Sequence, residues 1–267
     1  MSIDWRQWLP RWLGGRRGKG AYLAAGPAGT LDLRFAHGVA QSRMRRSAPD
    51  LLVVDYTRTM LAALLWQPAP KRVGIVGLGG GSQAKFLYRH FPKLAIEALE
   101  VSAEVLALRE RFRVPPDDHR FSVLHVDAAE FLPQHPGRYD LLLVDAYDAQ
   151  GIPPPLGTFA FQEACRDALT EGGALATNLY CPDHHAHFDR LRKAFGGRAL
   201  LVEEPRQSNR VGFAWRGDVQ PVDADGLLDT LPAEAAAQLR RGFLRVQSAY
   251  RQAARNGAFS LAGGDGA

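Results

Sequence analysis

The sequence predicts an α/β fold. The expected architecture is a doubly wound, mostly parallel sheet with an antiparallel last strand, a small N-terminal β section and a C-terminal helical appendage. Three observations point there. Apolar runs of strand length recur between Val73 and Trp215, and each of the first five is followed by a segment with helical spacing. The runs are near-continuously apolar rather than alternating, as a parallel sheet covered on both faces requires. The first run stops at a glycine cluster, Gly77, Gly79, Gly80 and Gly81. Such a cluster makes a tight strand-to-helix turn and lets a ligand approach the backbone with no Cβ in the way.

In chain order, residues 1–20 form a basic arm rich in Trp and Arg. Residues 21–66 form the β-rich section and a linking helix. There Leu31, Leu33 and Phe35 alternate with Asp32 and Arg34, and Leu51 to Val54 is a further apolar run counted with the section. Met60, Leu61, Leu64 and Leu65 then have helical spacing before Pro68 and Pro70. Residues 67–217 form the main domain. Strand one is Val73–Gly77, and Ser82 is read as the cap of the next helix. Strand two is Leu94–Val101, with Ser102 capping a helix to about Phe112. Strand three, Phe121–Val126, ends at Asp127, and a short helix follows. Strand four, Leu141–Val144, ends at Asp145. A proline-rich loop leads to a helix over Phe159–Leu169. Gly172 and Gly173 are read as a turn into strand five, Ala174–Leu179. A helix from Asp183 to Phe195 precedes Leu200–Glu203 and Val211–Trp215, a pair with no helix between them and so a final hairpin. Residues 218–267 form a helical appendage, alanine- and arginine-rich over 224–256, and a flexible tail.

At 46% hydrophobic and 23% charged, the composition is that of an ordinary globular chain. No apolar run approaches the roughly 18–20 residues of a membrane span. Arg16 and Arg17 are followed by nothing that resembles a signal-peptide core, so a cytoplasmic location is expected. The net charge of +5 is uneven: residues 1–46 carry nine Lys/Arg against two Asp, which leaves the remainder slightly acidic. The basic arm is read as a solvated leader whose tryptophans dock on the body or on a second subunit. No base-reading motif is present, so nucleic acid is not the expected partner. A homo-oligomer, a dimer, is expected.

Ligands of open α/β sheets bind at the carboxyl ends of the strands. Here strand one ends in the glycine turn, strand two at Glu100 beside Val101, strand three at Asp127 beside Ala128, and strand four at Asp145. A carboxylate some 20 residues after a glycine turn suits ribose hydroxyls, and Asp127 suits an adenine amino group. A site lined by carboxylates favours a cation such as a sulfonium over a pyrophosphate. The turn also lacks the Lys-Ser/Thr pair that reaches phosphates and Mg²⁺. An S-adenosyl nucleoside is therefore expected as co-substrate, with no tightly bound cofactor. Asp145 and Asp148, three apart at a strand end, can surround an ammonium group. A carboxylate within hydrogen-bond reach can orient an amine and take its proton.

These stretches together resemble the spermidine/spermine synthase (polyamine aminopropyltransferase) family, which has the Rossmann-like class I methyltransferase fold. The resemblance runs from about Leu31 to Trp215. It rests on His37-Gly38-Val39-Ala40-Gln41-Ser42, on Tyr56, on the glycine loop, on Glu100, on Asp127-Ala128 and on the Asp-x-x-Asp of 145–148. It implies transfer of an aminopropyl group from decarboxylated S-adenosylmethionine to a small amine acceptor. It also implies Asp145 as base, Asp148 and Tyr56 as holders of the amine, and Glu100 and Asp127 as holders of ribose and adenine. Gln41 and Tyr180 are further substrate-binding candidates. The pattern departs from the family at Gly80 (an aspartate there), Thr57, Leu23, Arg206 and Ala149, so the nucleoside half is kept better than the polyamine half. Methyl transfer from S-adenosylmethionine, or a non-catalytic nucleoside-binding homologue, are the alternatives.

His184, His185 and His187 lie at a helix start. No cysteine or carboxylate is read as spaced to complete a metal site with them, so a solvated helix end and no metal are expected. Cys165 and Cys181 suggest no disulfide framework.

Overall fold

The computed structural model describes residues 20–35, 40–148, 150–205 and 207–259. The expectations for the basic arm (1–19), for His37, Gly38, Val39, Ala149 and Arg206, and for the tail from 260 lie outside the described residues.

Seven strands form the main sheet: β4 (Arg72–Val76), β5 (Ala95–Glu100), β6 (Phe121–His125), β7 (Tyr139–Val144), β8 (Leu169–Leu179), β9 (Ala199–Glu203) and β10 (Arg210–Trp215). Their order is β6-β5-β4-β7-β8-β10-β9. The first five pair in parallel, while β10 is antiparallel to both β8 and β9. The expected closing hairpin is present, with its second strand inserted next to β8. Val73, Leu141, Leu142, Leu143, Leu175 and Val211 are all fully buried. The sheet's core rows thus lie under helices on both faces, which explains the uninterrupted apolar runs.

The helices are α2 (Ser82–His90), α3 (Ala103–Ala107), α4 (Ala128–Phe131), α5 (Phe159–Ala168) and α6 (His184–Ala194). Helix α1 (Asp55–Met60) continues as a tighter 3₁₀ segment through Leu65, whose five residues are all buried. Ser102 caps as read, accepting from the Val105 amide, and Thr158, not singled out in the sequence, accepts from that of Phe161. Ser82 does not cap α2. It is the first helical residue, and Gly81 before it takes a left-handed conformation (φ 65°) that a serine would resist.

Other readings of local structure are corrected. Leu51 to Val54 is not a strand: Leu52 is buried and its amide donates to Gln238 Oε1 (3.0 Å). The third strand of the N-terminal sheet is instead β3 (Ala40–Arg45), beside β1 (Tyr22–Ala25) and β2 (Thr30–Arg34). Its polar side chains hid it. One of them, Arg43, reaches the fully buried Asp32 with two bonds of 2.7 and 2.8 Å, and those bonds hold that carboxyl below its ordinary range. Gly172 and Gly173 do not separate helix from strand. They form an irregularity inside an eleven-residue β8. Pro232 divides the appendage into α7 (Ala224–Asp229) and α8 (Ala233–Arg255), because a proline cannot supply the interior amide.

The appendage is not peripheral. Tyr250 of α8 meets Trp66 edge-on, and Trp66 stacks on Trp215 of β10 at 4.9 Å. Gly242 lies against Thr59 of α1, where an added Cβ would sit 3.3 Å from the Thr59 Cα. Arg245 donates to Thr59 Oγ1 and to Glu204. Behind the glycine loop, the buried Lys85 donates to the Phe112 carbonyl (2.8 Å), and burial pulls its amine down to about 7. Among the described residues no helix is long and apolar enough to cross a membrane.

Candidate active site

The glycine turn is held open by backbone. Gly77, Gly79 and Gly81 all have positive φ, and the Gly77 amide donates to the Leu99 carbonyl (2.9 Å). A Cβ at Gly77 would overlap the backbone carbonyl of Asp145, so the ends of β4 and β7 meet as closely as peptide groups can. At Gly80 the space for a side chain is taken. An added Cβ would lie 2.6 Å from Ser42 Oγ and 2.9 Å from the Phe112 ring. Strand β3, which carries Gln41 half-buried, is thereby brought against the glycine loop.

Glu100 is buried at the end of β5, and both its oxygens are engaged. Oε2 accepts from the Leu78 amide of the loop (2.9 Å) and Oε1 from the Ser102 amide (2.8 Å). Each oxygen keeps a second lone pair for a hydroxyl donor. Val101, next to it, is 63% exposed. Asp127 caps α4 through Oδ1 (Ala129 amide, 2.8 Å), and Ala128 is buried behind it.

Asp145 stands at the end of β7 with two donors. Tyr56 Oη donates to Oδ2 (3.0 Å) and Asn178 Nδ2 to Oδ1 (2.9 Å), while Asn178 Oδ1 accepts from Asn209 (3.0 Å). Burial pushes the Asp145 carboxyl above its ordinary value, and the two hydrogen bonds pull partly back. Burial and the Asp145 charge push the Tyr56 phenol well up, so it remains a donor. Asp148 is placed differently. Its Oδ1 accepts from the Gln150 and Gly151 amides (2.7 and 3.0 Å), closing the turn at the start of the loop. Among the described residues no hydrogen bond joins it to Asp145. Tyr147 between them donates to the Asn178 carbonyl (2.8 Å) and accepts from the Tyr180 amide (2.7 Å), leaving the Tyr180 ring 48% exposed at the rim.

The structure therefore gathers the glycine turn, Glu100, Tyr56 and Asp145 into one hydrogen-bonded edge. Sequence reasoning missed Asn178, Asn209, Ser42, Phe112 and Tyr147. Asn178 carried a signal: it is the one carboxamide in the apolar run of strand five.

A seven-stranded sheet of this order, with carboxylates at the strand ends beside a glycine turn, is that of the class I methyltransferase type of α/β domain. Solved structures agree at the level of fold. Human methyltransferase-like protein 13, in complex with SAH, superposes with a TM-score of 0.58 at 24% identity, covering 71% of this chain and 92% of its own. A spermidine synthase in complex with the transition-state analogue AdoDATO gives a TM-score of 0.62 at 19% identity, covering 82% and 84%. No family model matches the chain. The polyamine aminopropyltransferase of Chromobacterium violaceum is 32% identical over 188 residues, 69% of this chain and 72% of the relative. The chain belongs to the polyamine aminopropyltransferase family, a family of transferases.

Proposed function

We propose that this protein moves an aminopropyl group from decarboxylated S-adenosylmethionine to a small amine. The observation that carries the reading is the enclosed Asp145 carboxylate, fixed by Tyr56 and Asn178 against the glycine turn. Glu100 takes the ribose hydroxyls and Asp127 the adenine amino group, while Gly77, Gly79, Gly80 and Gly81 with Val101 and Ala128 shape the nucleoside floor. The acceptor lies between Asp145, Tyr56, the free oxygen of Asp148, Gln41 and Tyr180. Its nitrogen attacks the carbon next to the sulfonium, so an N–C bond forms and the C–S bond breaks. Methylthioadenosine leaves, and the proton lost by nitrogen passes to Asp145. Positioning and a base held in a poorly solvated site supply the acceleration.

Methyl transfer from S-adenosylmethionine is the second reading. Gly80 favours it, because Ser42 and Phe112 occupy the place where the family's aspartate would hold the aminopropyl nitrogen. Calorimetric titration with methylthioadenosine, decarboxylated S-adenosylmethionine and S-adenosylhomocysteine separates the two. Tighter binding of the decarboxylated donor is expected. A preference for S-adenosylhomocysteine would replace the first reading by the second, and binding of none of the three would end both.

The base has a pH signature. Asp145 must be ionised to accept a proton, so kcat/KM falls as pH drops through a value raised above the ordinary carboxylate's. Tyr56→Phe removes a bond that favours the ionised form, so the acid limb moves to higher pH. A pH profile whose acid limb stays where it was would detach Tyr56 from control of the carboxylate.

A further inference from the structure

We propose that Cys181, Asp183 and His187 form a binding site for a thiophilic divalent cation of the zinc class, with three protein ligands and a fourth position open to water. This goes beyond the transferase reading and does not depend on it. Cys181 follows the end of β8, Asp183 precedes α6, and His187 lies one turn into α6. The chain reverses direction at Pro182-Asp183, which turns a C-x-D-x₃-H spacing into a cluster. One ligand atom from each residue lies within 4.8 Å of the other two. His187 Nε2 is 3.4 Å from Asp183 Oδ2. Ligand atoms bonded to one tetrahedral ion at 2.0–2.3 Å are separated by about 3.3–3.8 Å, so the His187–Asp183 pair is at working separation, and the sulfur lies within 4.8 Å of both.

Two of the three ligands are anchored by their surroundings, while Asp183 is exposed. The His187 ring packs on Gly157, where an added Cβ would sit 2.8 Å from Cε1, and only a glycine leaves it room. His184 is buried, and its Nδ1 donates to the Cys181 carbonyl (3.2 Å), fixing the backbone that carries the thiol. The expectation of a solvated helix end is thus corrected for His184 and His187, which are both buried, and Cys181 and Asp183 supply the partners that the spacing did not reveal. Only His185 stays exposed.

The donor set is one thiolate, one imidazole and one carboxylate, a combination suited to zinc rather than to hard cations such as Mg²⁺. In the free protein the Cys181 thiol carries a proton and lies within 4.8 Å of an Asp183 carboxylate oxygen. The cation replaces that proton: the S–H bond breaks, an S–metal bond forms, and one proton passes to the buffer. Arg190 of α6 and Arg210 of β10 act on the cluster with positive charge. The thiolate and the carboxylate together offset them.

The test is a titration of the full chain, stripped with a chelator, with Co²⁺ and then Zn²⁺. One equivalent of Co²⁺ should bind with a sulfur-to-cobalt charge-transfer band, and Zn²⁺ should displace it, being the tighter ion. Cys181→Ser should abolish the band and weaken Zn²⁺ binding by about tenfold or more. Asp183→Asn should weaken it in the same direction. His185→Gln, outside the cluster, should change nothing. Circular dichroism and the metal-free Tm show that each variant is folded, and Asp183→Asn serves where Cys181→Ser is not. Absence of stoichiometric binding, or a band that survives Cys181→Ser, overturns the site.

Discussion

Asp145→Asn is expected to leave methylthioadenosine binding essentially unchanged and to lower turnover by about 10²–10⁴-fold, the loss that follows removal of a positioned proton acceptor. The two readouts separate because Asp145 is not one of the nucleoside's proposed partners. Binding rests on the glycine turn, Glu100 and Asp127. The substitution keeps volume but not hydrogen bonding. The carboxylate accepts from both Tyr56 and Asn178, whereas an amide can accept from Asn178 but must donate to Tyr56, whose hydroxyl turns to accept, so two charge-assisted bonds become neutral ones. About 1–3 kcal/mol of stability should be lost with it, measurable by urea denaturation. Turnover equal to that of the parent protein would remove Asp145 from the mechanism.

Gly77→Ala should be more damaging to the fold than any other single methyl added to the turn. The residue has φ 88°, and its Cβ would overlap the Asp145 carbonyl and sit 2.9 Å from the Ala146 Cα. Backbone cannot rotate away as a side chain can, so β4 and β7 must part. We expect a loss of about 3 kcal/mol or more, from combined conformational strain and overpacking, together with loss of nucleoside affinity. Gly79→Ala is the control. It shares positive φ, but its new Cβ would meet only Ser42 Cβ, at 3.8 Å. Equal stabilities for the two variants would show that the close approach of the strands is not what selects glycine at 77.

The sheet was legible in the sequence because its central parallel strands are buried on both faces and so read as near-continuous apolar runs. Leu141 to Val144 is the clearest instance. Strand β3 was not legible, since Ser42 faces the glycine loop and Arg43 a buried carboxylate rather than a hydrocarbon core. At the site, residues that end strands were visible by position: Glu100, Asp127 and Asp145 each follow an apolar run. Partners brought from elsewhere were not. Asn209 reaches Asn178 from the loop before β10, and Phe112 reaches Gly80 from the far end of the α3 region, contacts that no local spacing encodes. The proposed cation cluster was illegible for the same reason in miniature, because a reversal of chain direction at Pro182-Asp183 is what brings Cys181 near His187.

The seating of α1 has a bearing on the order in which the molecule is completed. Thr59 is separated by 186 residues from Arg245, the side chain that clasps it, and the same helix carries Tyr56. Contacts over such separations form late, since the intervening chain must be closed first. During synthesis the glycine turn and Asp145 can be assembled long before the stretch that ends in Tyr250 has emerged. The phenol that faces the carboxylate is thus made well before the side chain that anchors its helix.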